Sequence, residues 1–260
     1  MLKRIRDKVV SGERLTREDA LELFHDDDIF TMGRLATSVA EKKNGRKAYF
    51  IVNRHINPTN LCVNRCKFCA FSRSRGEKGA FELTIDEIIE KLGEGRGTKG
   101  KGQRKRHVSL PFREVHIVGG LHPEWPFEYY LAMVSAIKTA YPSLVIKAFT
   151  AVEIEYFSRI SGLSVREVLE QLKESGLGAM PGGGAEIFAE EVRERLCPEK
   201  ISGKRWLEVH REAHLCGIPT NATMLYGHLE RHEDRVDHLF RLRELQDATG
   251  GFQAFIPLAY

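Results

Sequence analysis

Apolar residues recur along this chain with two different periods, and the alternation between them predicts a fold before any chemistry is considered. Short runs rich in β-branched and aromatic residues occur at 49–52, 115–118, 145–149, 221–225 and 252–256, with a weaker one at 178–180. Each reads as a strand. Between them the spacing becomes helical: Phe127, Tyr130, Leu131, Val134 and Ile137 make one stripe, and Val165, Val168, Leu169 and Leu172 another. Stripes of this kind are the faces with which helices cover a sheet. Thr84 with Glu87, and Ser164 with Glu167, have the spacing of capping boxes and mark helix starts. Upstream, 16–24 opens with a capping threonine and carries leucines at helical spacing. Residues 1–47 are therefore expected to form a helical lead-in, and 48–260 the strand-and-helix core.

Strands alternating with helices imply parallel strands joined by right-handed crossovers. The expected fold class is α/β, a partial (β/α)6 TIM-like barrel, with functional loops after the C-terminal ends of the strands. The sixth run ends almost at Tyr260 with no helical pattern behind it to cover a buried strand. The core is thus expected to lack C-terminal strands and helices. Neither a fixed-period repeat nor a Pro- or Ser-rich linker divides the chain.

Composition narrows the class. Apolar residues make up 42% and charged residues 29% of the 260, with no apolar run long enough to cross a bilayer. No membrane span is expected. The basic start of the chain is not followed by the apolar run and cleavage site of a secretory signal, so a cytoplasmic location is expected. Much of the net charge of +4 sits in the Gly- and Lys/Arg-rich stretch 93–107, which reads as a flexible basic surface loop. It contains no aromatic residue to stack a base, and a nucleic-acid partner is not expected.

Five cysteines are an odd number, and a cytoplasmic chain would keep them reduced. Three of them, Cys62, Cys66 and Cys69, follow the first strand run with the spacing C-x3-C-x2-C. A cuboidal 4Fe–4S cluster ordinarily takes four thiolates, so three from one loop leave an iron open to a substrate. A structural zinc site of the Cys3His type with His55, serving an interaction module, is the alternative, weakened by the lack of a second C-x2-C pair or paired histidines. An electron carrier ranks lower, since it would want every iron ligated. Cys197 and Cys216 lie in helical surroundings and read as small apolar fillers.

Other candidates sit at strand ends. Gly119 and Gly120 follow the second run, where missing Cβ atoms admit a close backbone approach, although a tight turn explains them too. Glu153 follows the third and could accept from ribose hydroxyls, as could a solvated first-turn glutamate do nothing at all. Pro181 to Glu186 reads as a glycine turn before a helix whose free N–H groups could meet an anion. Asn221, Thr223 and His228 belong to or follow the fifth run. Arg54, His55 and Arg73 flank the cysteines and could hold carboxylates or the loop itself.

The C-x3-C-x-aromatic-C pattern, with Phe68 before the last cysteine, resembles the signature of the radical S-adenosylmethionine superfamily. Within it, the run 56–73 (INPTNLCVNRCKFCAFSR), HIVGGLHPEWP at 116–126, KAFTAVEI at 147–154, MPGGGAEIF at 180–188 and GGFQAFIPLAY at the end resemble the aminofutalosine synthases of the menaquinone pathway. The likeness runs from about residue 12 onward, and the basic stretch looks like an insertion. It implies a radical SAM barrel whose three cysteines ligate the 4Fe–4S cluster, with Phe68, Gly119, Gly120 and Glu153 at the S-adenosyl-L-methionine site. Leu121 replaces the acidic residue usual after the glycines, which would leave any contact there to backbone groups or His122. His55, Arg73, Glu186 and Asn221 are the candidate catalytic residues. The implied reaction adds a 5′-deoxyadenosyl radical, with the cofactor consumed, to 3-[(1-carboxyvinyl)oxy]benzoate to form 6-amino-6-deoxyfutalosine, and a reducing partner such as flavodoxin or ferredoxin is implied. Dehypoxanthine futalosine cyclase and the tyrosine-using subunit of deazaflavin synthesis stay open as alternatives.

Overall fold

The capping signals act where the sequence places them. In the computed structural model, which describes residues 2–93 and 111–260, Thr16 and Ser164 each accept from the backbone N–H three residues on, and Asp19 and Glu167 bond back. Thr84 and Glu87 do the same. Reciprocal bonds of this kind satisfy orphan donors of the first turn. Three helices, α1 (Leu2–Ser11), α2 (Arg17–His25) and α3 (Ile29–Asn44), come first. Arg14 and Arg17 of this region pair with Asp247 and Asp237 on the last helix, fastening it to the rest of the fold.

Next come β1 (Asn53–Ile56), α4 (Ile85–Gly93), β2 (Glu114–Ile117), α5 (Phe127–Ala140), β3 (Val145–Ala148), α6 (Ala151–Ser161), α7 (Val165–Ser175), β4 (Leu177–Ala179), α8 (Glu190–Leu196), α9 (Gly203–Leu215), β5 (Thr220–Tyr226), α10 (His232–Thr249) and β6 (Phe252–Ala259). All pairings between these strands are parallel, in the order β1-β2-β3-β4 and β5-β6. A bridge from Met180 to Thr220 links the two sheets. Parallel strands with helices in each crossover are the partial barrel that the periodicity predicts. Apart from Gly93, the basic stretch 93–107 lies outside the described residues.

One strand is displaced. The run 49–52 is not the first strand: Tyr49, Phe50, Ile51 and Val52 are exposed, and pairing with β2 starts at Asn53. The true β1, Asn-Arg-His-Ile, carries mostly polar side chains, so hydrophobicity points one segment too early. The pleat explains this composition, because alternate residues face opposite sides. Ile56, Val115, Ile117, Ile146, Ala148 and Leu177 pack outward with the helix residues Ile88, Val134, Ile137 and Leu172. Their neighbours His55, Glu114, His116 and Lys147 face the barrel interior.

Behind β5 the helix layer holds three histidines. His210 and His238 are fully buried, and His214 is partly buried. His210 stacks on Trp206 at 3.6 Å and His238 on Phe188 at 3.8 Å. Burial holds the His214 imidazole down to about 4 and that of His238 down to about 3, and pushes His210 well below its ordinary range. The folded chain thus keeps them neutral while the unfolded chain binds protons below its ordinary value of about 6.5. Stability is therefore present above that value and is lost as pH falls toward 4 and 3. The unfolding midpoint of the apo chain should drop between pH 7 and pH 4.5, and His238→Gln should flatten that dependence. A midpoint unchanged over this window would rule the histidines out as the acid-labile element.

Candidate functional site

The cysteines lie on the loop that leaves the C-terminal end of β1. The ends of that loop are pinned by backbone bonds: Cys62 N–H to Arg73 O at 3.2 Å, Arg73 N–H to Asn60 O at 2.8 Å, and Val63 N–H to Leu121 O at 3.0 Å. Between these points Cys69 N–H closes a turn on Cys66 O at 3.0 Å. Cys66 is buried, and Cys62 and Cys69 are half-buried; all three are free thiols. Burial pushes the Cys66 thiol up to about 11 and raises Cys62 as well, so both are protonated thiols until a metal takes the proton's place.

Among the described residues no group of three or more His, Cys, Asp or Glu side chains is gathered as ligands of a single ion. His55 also lies on β1 with its Nε2 beside Asn57 Nδ2 at 3.1 Å. A Cys3His zinc site would need four ligands to converge on one point. A cuboidal cluster takes each thiolate at a different iron, and the three free thiols of this loop could supply three of its ligands. The donor set fits such a cluster.

The two glycines after β2 have a steric purpose. A Cβ on Gly120 would stand 2.1 Å from Leu61 O, and one on Gly119 would stand 3.1 Å from Thr59 O. Gly120 N–H also donates to Thr59 O at 2.9 Å. The glycines let the end of β2 press against the backbone that enters the cysteine loop. Gly119 N–H is already engaged by Glu153 Oε1 at 3.2 Å. The other Glu153 oxygen closes the α6 capping box on Thr150. Glu153 is therefore no solvated first-turn residue: it is buried, its carboxyl is pushed up to about 7 by that burial, and it ties α6 to the Gly119–Gly120 turn.

His122, considered above as a cofactor contact, is turned away from that role. Its Nδ1 accepts from the N–H groups of Glu124 and Trp125, which places the ring proton on Nε2, and Nε2–H donates to Glu82. His228 is likewise used up within its own turn by Leu229 N–H and Leu225 O, and Thr223 donates to Gly182 O at 2.6 Å. Asn221 differs. It is buried with Oδ1 lacking a partner among the described residues. Arg73 donates to Ala70 O and Ser72 O at 2.8 Å, holding the loop itself. Arg54 donates to Lys91 O and lies over the Phe112 ring, on the outer face.

The glycine turn after β4 does not open a helix, because α8 begins only at Glu190. Close packing demands its glycines instead. A Cβ on Gly182 would meet Asn221 O at 2.7 Å, and Gly184 has φ +86 with Val152 at 2.5 Å. The Arg193 guanidinium bonds the carbonyls of Ala185 and Ile187 from behind. Glu186 itself adopts φ +45, a left-handed conformation rare outside glycine, while its carbonyl accepts from Leu225 N–H at 2.8 Å.

Lys200 belongs to no motif of the sequence. It pairs with Glu186, lies 4.9 Å over the Phe68 ring, and is among the charges acting on the Cys66 thiol. Both members of the pair are largely buried. Lys200→Met should strand the Glu186 carboxylate and cost about 3–5 kcal/mol, read as a fall in the chemical unfolding midpoint. Adding Glu186→Gln should restore most of it. A double variant no more stable than the single would contradict the pairing.

The comparisons with known proteins agree with this arrangement. A family profile described as Radical SAM superfamily matches residues 56–242. The chain belongs to the Radical SAM superfamily. It is 49% identical over 98% of its length to an aminodeoxyfutalosine synthase of Thermus thermophilus, of which it covers 66%. It is 41% identical over 90% of its length to a 5-amino-6-(D-ribitylamino)uracil–L-tyrosine 4-hydroxyphenyl transferase of Methanopyrus kandleri, covering 60% of that protein. The chain thus spans somewhat less than two thirds of the length of these relatives. Among solved structures, methylornithine synthase aligns with a TM-score of 0.71 at 20% identity, over 98% of this chain and 67% of that one, which is a likeness of fold. Membership implies a 4Fe–4S cluster and S-adenosylmethionine as the family's cofactors. No helix among the described residues is long and apolar enough to cross a membrane.

Proposed function

We propose that Cys62, Cys66 and Cys69 ligate a 4Fe–4S cluster with one open iron, and that the chain carries the radical core of an aminodeoxyfutalosine synthase acting in menaquinone biosynthesis. When bound, the cluster and S-adenosylmethionine supply a 5′-deoxyadenosyl radical. The reaction adds that adenosyl group to the enolpyruvyl double bond of 3-[(1-carboxyvinyl)oxy]benzoate and, after aryl migration and loss of carboxylate, yields 6-amino-6-deoxyfutalosine. The observation that carries this reading is the three-thiol loop at the C-terminal end of β1, in a chain 49% identical to a synthase of that name.

The chain's own residues bind, orient and exclude water. Gly119 and Gly120 bring the end of β2 against the cysteine loop, and Glu153 holds that turn. Phe68 lies under Lys200, which in turn pairs with Glu186 after β4. Asn221 offers an unused acceptor in the barrel, and His55 stands on its inner face. A low-potential protein such as flavodoxin or ferredoxin would deliver the electron.

The transferase relative gives one rival a footing, with a tyrosine-derived aryl group as the transferred unit. A hydrogen-abstracting cyclase is the other. Reconstituted protein given S-adenosylmethionine carrying isotope in the adenosyl group should place that isotope in the product with the enolpyruvyl benzoate. Isotope recovered only as free 5′-deoxyadenosine, or turnover only with tyrosine, would overturn the synthase reading.

A further inference from the structure

The inner face of the four-stranded sheet carries charge that the cysteine loop does not use. Strand register sets His55 of β1 beside His116 of β2, His116 beside Lys147 of β3, and Lys147 beside Ala179 of β4. Three basic side chains thus share one level across the barrel, with the small Ala179 at the end of the row. Glu114, two residues before His116 and so on the same face, meets both neighbours through Oε1: it bonds His116 Nε2 and forms an ion pair with Lys147 Nζ at 3.2 Å. The Lys147 and Glu114 side chains are only 5% and 10% exposed, and that of His116 is 27% exposed.

A buried ion pair is a poor way to stabilise a barrel, since desolvation offsets its attraction and apolar side chains of similar size do as well or better. Its placement here has a different consequence. An ammonium has three N–H donors, and among the described residues Glu114 is the one ion-pair acceptor that Lys147 reaches. The other donors remain for a ligand. Glu114 anchors Lys147 and His116 from below, so both are held in place before a ligand arrives and lose little freedom on binding it. His55, one strand further, keeps its Nε2 beside the Asn57 amide, whose Nδ2 also donates to Val118 O, so this corner of the row is fixed too.

We propose that Lys147 and His116, braced by Glu114, form a carboxylate-binding subsite inside the barrel that seats the aromatic acid group of the substrate. This deepens the synthase reading, whose substrate carries two carboxylates, and rests on it only for which acid is bound. The row of His55, His116 and Lys147 lies on the inner face of β1–β3, the strands whose C-terminal loops carry the cysteines, the glycine turn and Glu153. An acid seated there would have the rest of the molecule, with its enolpyruvyl group, toward those strand ends. A fixed ammonium bonds an acid more strongly than its amide, because a hydrogen bond between two ionised groups is stronger than one to a neutral acceptor.

The test measures binding of benzoate, with benzamide as the neutral control, to the cluster-reconstituted protein by isothermal titration calorimetry. Wild type should bind benzoate and not benzamide. The variant Lys147→Met with Glu114→Gln removes both charges together and leaves no buried charge alone. It should weaken benzoate binding about 10- to 100-fold, the range for losing a charged hydrogen bond, with iron content and circular dichroism unchanged. Lys147→Arg with Glu114 intact should bind benzoate more tightly than that double variant. In turnover with the enolpyruvyl benzoate, the double variant should raise KM far more than it lowers kcat. Benzoate bound equally by wild type and the double variant would overturn the subsite, as would benzamide bound as well as benzoate. Loss of benzoate binding in the double variant of a protein that makes no aminodeoxyfutalosine would keep the subsite and reject the synthase reading.

Discussion

Cys66→Ala is expected to abolish iron loading and S-adenosylmethionine cleavage while leaving the apo chain folded. The expectation separates two things a buried cysteine can do. Cys66 is 8% exposed and its thiol is held protonated by burial, so as a mere filler its loss would remove one small group, worth about 1 kcal/mol. As a ligand its loss would leave a cluster with two thiolates from this loop, which does not assemble as the same open-iron site. The apo variant should therefore unfold near the wild-type midpoint, and anaerobic reconstitution should give a chromophore much reduced or absent. Cys62→Ala and Cys69→Ala should behave alike. Cys197 supplies the control: it is more deeply buried than Cys66, and its charge would be felt there, yet it caps the C-terminal end of α8. Cys197→Ala should keep the cluster. A Cys66→Ala protein that loads iron and cleaves the cofactor at the wild-type rate would remove Cys66 from the ligand set.

The second large effect is expected at a residue with no functional group. Gly120→Ala would place a methyl 2.1 Å from Leu61 O and 2.7 Å from Leu61 C. Both are backbone atoms of the segment leading into Cys62, so neither can swing aside as a side-chain tip would. Relief requires the end of β2 and the loop entrance to separate, breaking the bonds Gly120 N–H to Thr59 O and Val63 N–H to Leu121 O. A destabilisation of about 3 kcal/mol or more follows, together with failure to retain the cluster because the loop loses its support. Gly119→Ala should be milder, since its Cβ would stand 3.1 Å from Thr59 O and 3.3 Å from Pro58. Urea unfolding and iron content of the two apo and reconstituted variants test the ordering. Equal effects at both glycines would contradict it.

Local signals carried much of the fold. Capping pairs such as Ser164 with Glu167 are bonded as their spacing requires, and Val165, Val168, Leu169 and Leu172 are all buried along α7. These features were legible because helix caps and stripes depend on neighbours three and four residues away. The first strand was not. Asn53, Arg54 and His55 pair with β2 because the inner barrel face is polar, and only register reveals which polar residues a strand turns inward.

The site divides in the same way. The three cysteines announce themselves by spacing, and their exit from β1 agrees with it. Glu153 and His122 look equally free in the sequence, yet both are consumed by partners far along the chain, Gly119 and Glu82. Lys200 and Lys147 gave no signal at all, because their partners Glu186 and Glu114 are joined to them by folding rather than by spacing. Asn221 kept its candidacy because its buried Oδ1 has no partner among the described residues.

Three thiolates from one loop would leave an iron open to S-adenosylmethionine. Electron paramagnetic resonance of the anaerobically reconstituted, reduced protein, recorded with and without S-adenosylmethionine labelled with 15N at its amino group, tests this directly. A reduced 4Fe–4S signal whose g values shift on adding the cofactor, with hyperfine coupling to the labelled nitrogen, is the result expected. A cluster signal indifferent to the cofactor, or a colourless protein holding stoichiometric zinc, would contradict the account.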